Sequence, residues 1–230
     1  MDIIDFFPDI VAQSSREVDL NEEAKIYLIT QWILGGEWNW IKENPLIGSE
    51  ECQKLLKSVH EKYGIVWSHG GYGEDRSTLW HDTYLDMLRA WNHLGIDINV
   101  SAGTKLISPI TGKVLISDHD SDHPTAPQNH GWWNRLIVQP WDSEYALIMA
   151  HLSDDTRRRV GNLIQQWEQL GTIGDPTQNG GWFEHFHIQA IAMEYLNSLI
   201  KEWRIPELDG YAAWMSEEIR KTYPNPLEIF

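Results

Sequence analysis

The sequence predicts an α+β protein: a mainly β core, an antiparallel sheet or sandwich, with α-helical extensions at its N- and C-terminal ends. Three observations carry this expectation. Residues 21–63 place apolar side chains at helical spacing, the stretch from 67 to 190 breaks into short β-type runs separated by Gly, Pro, Asn and Asp, and helical spacing returns after 190. A chain of 230 residues, 42% hydrophobic, can bury one sizeable core. The expected division is 1–66 as the N-terminal extension, 67–190 as the central domain and 191–230 as the C-terminal extension.

The first helical stretch carries a stripe of Ile26, Leu28, Ile29, Trp32 and Ile33 that Gly35-Gly36 ends. A second helix is expected from Ser49, a capping residue type, through Leu55, Leu56 and Val59 to His60. The β-type runs are 96–100, 104–108, 113–116, 135–139, 145–150 and 186–191, and so many short strands imply antiparallel pairing. The segment 118–131 reads as a polar loop. Beyond Ala190, the residues Met193, Leu196, Leu199, Ile200 and Trp203 mark a helix, Pro206 interrupts it, and a further helix is expected over 212–221.

Composition excludes several classes of function. With 34 acidic against 18 basic residues, the net charge of −16 rules against a basic surface that grips nucleic acid or an anionic membrane. The single cysteine, Cys52, excludes an internal disulfide framework and a cysteine-rich metal site, so any metal must use histidines and carboxylates. The N-terminal segment carries acids where an export signal carries a basic segment, and no run approaches the roughly 18 apolar residues of a membrane span. A soluble, cytoplasmic protein is expected. Thirteen tryptophans include Trp67, Trp132, Trp133 and Trp182 in polar settings, where an aromatic face either lines a binding groove or fills the core.

Chemistry concentrates on the histidines. In the run 186–191, side chains alternate, so Phe186, Ile188 and Ala190 share one face while His185, His187 and Gln189 share the other. The two imidazoles should stand roughly 7 Å apart, close enough for one to hold a metal while the other reaches its water. In His93-Leu94-Gly95-Ile96-Asp97, a fully extended chain would separate the ends by about 13 Å, and the glycine permits a bend that brings an imidazole and a carboxylate onto one ion. His151 ends the run 145–150, at the mouth of the expected sheet. No one of these signals decides alone. Together, His93, Asp97 and His187 supply three N/O ligands, the number that leaves zinc an open position, while His151 and His185 remain for proton transfer and charge stabilisation. The loop histidines His119, His123 and His130, beside Asp118, Asp120 and Asp122, have no rigid spacing and are read as solvated charge. His60, His69 and His81 are read as structural.

The motifs HLGID at 93–97, GTKLISPITGKVL at 103–115, AHLS at 150–153 and HFHIQA at 185–190 resemble, in order and over about 100 residues, the lysostaphin-type (LytM-like) zinc metallopeptidases, a family of peptidoglycan endopeptidases. The segment GDPTQNGGWFEHFH at 174–187 and Glu74-Asp75-Arg76 are similar to the subgroup found fused to class-III aminotransferases. The resemblance implies a small antiparallel sheet of the duplicated-hybrid-motif kind. It implies one zinc per chain on His93, Asp97 and His187, with His151 and His185 flanking the metal-bound water. The sequence departs from the family at Glu184, where a small residue or proline is usual, and at Phe186, where leucine is usual.

The implied activity is hydrolysis of a peptide or small amide bond by a metal-activated water, without nucleic acid or membrane as partner. Asn179, Gly181 and Trp182, with Trp133, are candidate walls of a substrate groove. Which of His151 and His185 acts as general base is left open. Three alternatives remain: a zinc-containing binding module without turnover, a hydrolase of a small non-peptidoglycan amide, and a metal-free phosphocarrier, which leaves Asp97 without a role.

Overall fold

The structure is a computed structural model and describes residues 3–10, 13–35, 44–119, 122 and 131–229. Gly36, Asp120, His123, Asn129 and His130 lie outside the described residues, as do the side chains of Trp32 and Ile33.

Helices α1 (Leu20–Gly35) and α2 (Ser49–Tyr63) pack together, and the short α3 (Tyr84–Leu88) comes after them in the chain. Helix α2 buries Cys52, Leu55, Leu56 and Val59, the spacing of one helical face, and Gly64 at φ 63° closes it by donating to the carbonyls of His60 and Glu61. Its cap is Gly48, because Ser49 already has helical geometry. The buried side of α1 is rotated from the expected stripe: Leu20 and Ala24 are buried, whereas Ile26 and Ile29 face solvent. Between the helices, Glu23 accepts two hydrogen bonds from Lys62 at 2.8 Å and one from Tyr63 at 2.6 Å.

The described residues form twelve strands, in chain order β1 (Ser15–Glu17), β2 (Trp67–His69), β3 (Asn92–His93), β4 (Ile96–Asn99), β5 (Lys105–Ile107), β6 (Gly112–His119), β7 (Asn134–Pro140), β8 (Tyr145–Leu152), β9 (Leu163–Ile164), β10 (Gln169–Thr172), β11 (Phe186–Ala192) and β12 (Tyr211–Ala212). Eight of them form the main sheet in the order β1-β2-β4-β11-β8-β7-β6-β9, antiparallel except for the β1–β2 pair. Two ribbons, β5–β10 and β3–β12, complete the β structure of the described residues. All six β runs read from the sequence are strands.

Period-two alternation gives the sheet two apolar faces. On one, Ile96, Ile98, Leu136, Val138, Leu147, Met149, Phe186 and Ile188 pack against Leu106 and Leu170 of the β5–β10 ribbon and against Phe6 and Phe7. Phe186 tolerates its departure from leucine there, with its ring 5.2 Å from Phe6 and 5.4 Å from Phe7. On the other face, Ile137, Ile148, Ala150 and Ile191 lie beneath Leu196 and Leu199 of α4 (Met193–Lys201), together with Leu208 and Tyr223. The fold is thus a mainly β core with helices on both sides of it in sequence.

At the C-terminal end the expected helix over 212–221 shrinks to α5 (Glu217–Thr222), which the Ser216 side chain caps. Residues 211–212 are extended instead, because Tyr211 and Ala212 pair with His93 and Asn92, and the Asn92 amide holds the carbonyls of Ala212 and Ala213. Trp203 falls beyond the end of α4, in a left-handed backbone at φ 59°, and is exposed rather than part of the stripe. No helix among the described residues is long and apolar enough to cross a membrane.

Candidate metal centre

Strand register assembles the site. On β11, His187 stands opposite Asp97 of β4 on one side and Ala150 of β8 on the other. His93 ends β3, and the two residues after it turn the chain into β4. Gly95 serves this turn differently from the expected bend. A Cβ there would lie 2.5 Å from both His187 Cε1 and the Ile188 carbonyl oxygen, so glycine is required for close approach to the imidazole.

Three donor atoms converge. His93 Nε2 lies 3.1 Å from His187 Nδ1, His187 Nδ1 lies 2.9 Å from Asp97 Oδ1, and His93 Nε2 lies 3.4 Å from Asp97 Oδ1. A tetrahedral zinc with bonds of about 2.0–2.1 Å has donor–donor edges of about 3.3–3.4 Å, so the triangle fits within a few tenths of an ångström. All three residues are buried, at 0%, 2% and 3% exposure for His93, Asp97 and His187.

The tautomer of His187 strengthens the case. Gln189 Nε2 donates to the Asp209 carbonyl at 3.2 Å, which leaves Gln189 Oε1 to accept from His187 Nε2 at 3.1 Å. The proton therefore sits on Nε2, and Nδ1 turns a lone pair toward the Asp97 carboxylate 2.9 Å away. In that tautomer the lone pair and the carboxylate oxygen are both available to one cation. His93 is neutral, since burial, then the nearby Arg76 guanidinium, push its pKa down to about 3, and with the ring proton on its buried, unpartnered Nδ1 its Nε2 offers a lone pair to an ion. Burial alone would raise the Asp97 pKa, but His93 and Arg76 hold it well below the usual carboxylate range. These residues fit a small divalent ion.

His185 and His151 flank the triangle. His185 Nδ1 donates to the Phe183 carbonyl at 2.7 Å, so its Nε2 carries the lone pair, 4.0 Å from Asp97 Oδ1. Its ring centroid lies 4.1 Å from that of His151. His151 has a left-handed backbone at φ 61°, a sparsely populated conformation for a residue with a side chain, and its amide donates to the Trp132 carbonyl at 3.2 Å. Burial lowers the pKa of both histidines, and the neighbouring His185 and His187 lower that of His151 further. Both are neutral at pH 7. Glu184 stays apart from the imidazoles, as its carboxylate accepts from the Ala102 amide at 3.1 Å.

The candidate groove residues divide. Trp182 does not present an aromatic face: it is buried, stacked on Trp80 with centroids 4.5 Å apart. Asn179 is also buried and ties its own turn, donating to the Phe183 carbonyl at 2.9 Å and accepting from the Trp182 amide at 3.1 Å. Gly181, at φ 75°, and Trp133, at φ 52° with its ring edge-on to His119 at 5.3 Å, are less enclosed. His60 bonds Ser68 Oγ at 2.9 Å, and His81 bonds Asp86 at 3.0 Å on the surface.

Several residues around the centre were given no role in it by the sequence. Arg76 contacts Asp97 Oδ2, Glu74 and the Tyr211 hydroxyl. The Tyr211 ring lies 5.2 Å from His93, and the Trp132 ring lies 5.2 Å from His187. Gln189 shares the site face, and its period-two placement beside His187 was the one signal that could have marked it. Arg76 and Tyr211 reach the centre through contacts across 21 and 118 positions of sequence, which no local pattern records.

No family model and no curated protein matches this chain. Solved structures do show similarity. A solution structure of lysostaphin is 20% identical, with a TM-score of 0.37, over 47% of this chain and 40% of that one. The catalytic domain of the antimicrobial peptidase lysostaphin from Staphylococcus simulans is 21% identical, with a TM-score of 0.36, over 44% of this chain and 68% of that one. A zinc-containing peptidase from Vibrio cholerae is 20% identical, with a TM-score of 0.35, over 44% of this chain and 28% of that one. The similarity therefore spans two fifths of the lysostaphin chain in solution.

Proposed function

We propose that this protein is a zinc-dependent hydrolase of a peptide or small amide bond, in the manner of the lysostaphin-type peptidases that its motifs resemble. The observation that carries the reading is the buried triangle of His93 Nε2, Asp97 Oδ1 and His187 Nδ1, with edges of 2.9–3.4 Å and a lone pair of His187 facing a carboxylate oxygen. His93, Asp97 and His187 would hold one zinc. When bound, it supplies Lewis acidity, which brings the pKa of a water from 15.7 toward roughly 7 and polarises a carbonyl oxygen.

The remaining work falls to this chain's own side chains. Because His185 Nδ1–H donates to the Phe183 carbonyl, His185 Nε2 is free to accept a proton from the attacking water, and its lowered pKa keeps it neutral and ready at pH 7. His151, ring to ring with His185, is neutral too, and its buried Nδ1 has no hydrogen-bond partner among the described residues, so nothing ties its one ring N–H to Nδ1 and Nε2 can carry it. It donates to the oxygen that gains charge as the carbonyl is attacked. His185 is thus read as the general base and His151 as the donor.

Metal analysis with an amide-hydrolysis assay tests this. One zinc per chain and turnover that disappears in both His187→Ala and His185→Ala support the reading, with zinc retained in His185→Ala. Full activity in His187→Ala would refute it, and bound zinc without turnover on any peptide or amide would leave a binding module.

A further inference from the structure

Arg76 is 1% exposed, and the burial of a guanidinium is costly unless every charge near it is paired. Its pairing is specific. Nη1 bonds Asp97 Oδ2, the oxygen that does not face His93 and His187, and lies 3.3 Å from the Tyr211 hydroxyl, while Nη2 lies 3.2 Å from Glu74 Oε2. Glu74 is held in turn, since its Oε1 accepts from the Leu20 amide at the start of α1 at 2.9 Å. The backbone sides with this arrangement: the His93 amide donates to the Glu74 carbonyl at 2.9 Å, and the Gly70 amide donates to the Asp97 carbonyl at 2.9 Å.

We infer that Arg76 is a positioning residue of the metal centre: by occupying Asp97 Oδ2 it restricts Asp97 to a single donor oxygen, with Glu74 and Tyr211 fixing the guanidinium. The inference rests on the metal-binding reading above. A carboxylate with both oxygens free can close on a metal through the pair, taking up the coordination position that a hydrolase needs vacant. A planar guanidinium engaged on Oδ2 prevents this, and its fork lets it reach Asp97 and Glu74 at once, which an ammonium does not. Electrostatics alone argues the other way, because a cation beside the ion repels it. Arg76 therefore serves the centre through geometry, and the two roles predict effects of opposite sign.

The test compares wild-type protein with Arg76→Gln and Arg76→Lys, reading zinc affinity by competition with a chromophoric chelator and the visible absorption of the cobalt(II)-loaded protein, alongside the far-UV circular dichroism of each. If Arg76 positions Asp97, Arg76→Gln binds zinc about ten- to a hundredfold more weakly, and its cobalt band loses intensity as coordination expands. Arg76→Lys, which keeps the charge and loses the fork, recovers part of the affinity and little of the spectrum. Should Arg76→Gln fail to fold, Arg76→Lys decides alone: a wild-type cobalt spectrum in that variant overturns the inference. Unchanged or tighter zinc binding in Arg76→Gln, with the wild-type spectrum, also overturns it. Wild-type protein that takes up neither metal refutes the metal centre itself, whereas metal uptake with unaltered variants refutes only the role of Arg76.

Discussion

Replacing Gly95 by alanine should damage the centre more than its fold. The added Cβ would lie 2.5 Å from His187 Cε1, 2.6 Å from His187 Nε2 and 2.5 Å from the Ile188 carbonyl oxygen. Ordinary contact begins near 3.4 Å, so the ring and the Ile188 carbonyl must each retreat by about 0.9 Å. The strand is tied on both sides, to β4 and to β8, so its carbonyl yields only at a cost in packing and the imidazole takes the larger movement. Metal bonds tolerate about 0.2 Å, so zinc affinity should fall at least about a hundredfold. The overpacking itself should cost about 1–3 kcal/mol, and at this chain length each kcal/mol lowers Tm by about 2–4 °C. Isothermal titration with zinc and thermal melts with and without zinc measure both effects. A Gly95→Ala protein that binds zinc as wild type does, with an unchanged Tm, would refute the account of the turn between His93 and Asp97.

Three further outcomes follow from the structure. Chelation of the metal should lower Tm, because an ion at a hundred times its Kd stabilises the fold by about 2.7 kcal/mol, or about 5–11 °C here, and a melt indifferent to chelator contradicts the site. Glu23→Gln should destabilise the protein by about 1–3 kcal/mol at pH 7. Burial raises the Glu23 pKa, but the bonds from Lys62 and Tyr63 outweigh it and lower the folded value. The stabilisation is therefore full above the unfolded pKa near 4.5 and is lost as pH falls through the folded one, so denaturant midpoints of wild type and variant should converge in acid. Cys52 should resist thiol reagents in the native state, since burial pushes its pKa up and its thiol donates to the Leu46 carbonyl, and stoichiometric labelling without denaturant would contradict this.

The legible parts of the molecule are those encoded by local periodicity. The alternation over 186–191 separates Phe186 from His187, and the glycine between His93 and Asp97 marks a real constraint, although its reason is a neighbour 92 positions away rather than its own backbone. Strands of two residues such as β3, β9 and β12 are too short to show a period of two, and they exist because a partner strand presents free backbone groups. The α1 stripe misled because Ile26 and Ile29 are helically spaced but have no element to cover them among the described residues. Trp182 sits in a glycine-rich, polar segment that looks solvent-facing, yet Trp80 stacks on it from 102 positions earlier. Arg76 and Tyr211 belong to the same class of long-range contact.

Ribbon β3–β12 also dictates when the centre can be finished. His93 emerges from the ribosome well over a hundred residues before Tyr211, and the Asp209 carbonyl that orients Gln189, and through it His187, comes later than all three donors. A nascent chain that has reached α4 already owns the three donors but lacks the tether that selects the tautomer of one of them. On the proposed reading of the centre, an ion taken up before β12 pairs with β3 would meet a His187 whose tautomer Gln189 does not yet fix, so the order of synthesis places the last strand after the donors and before their final arrangement.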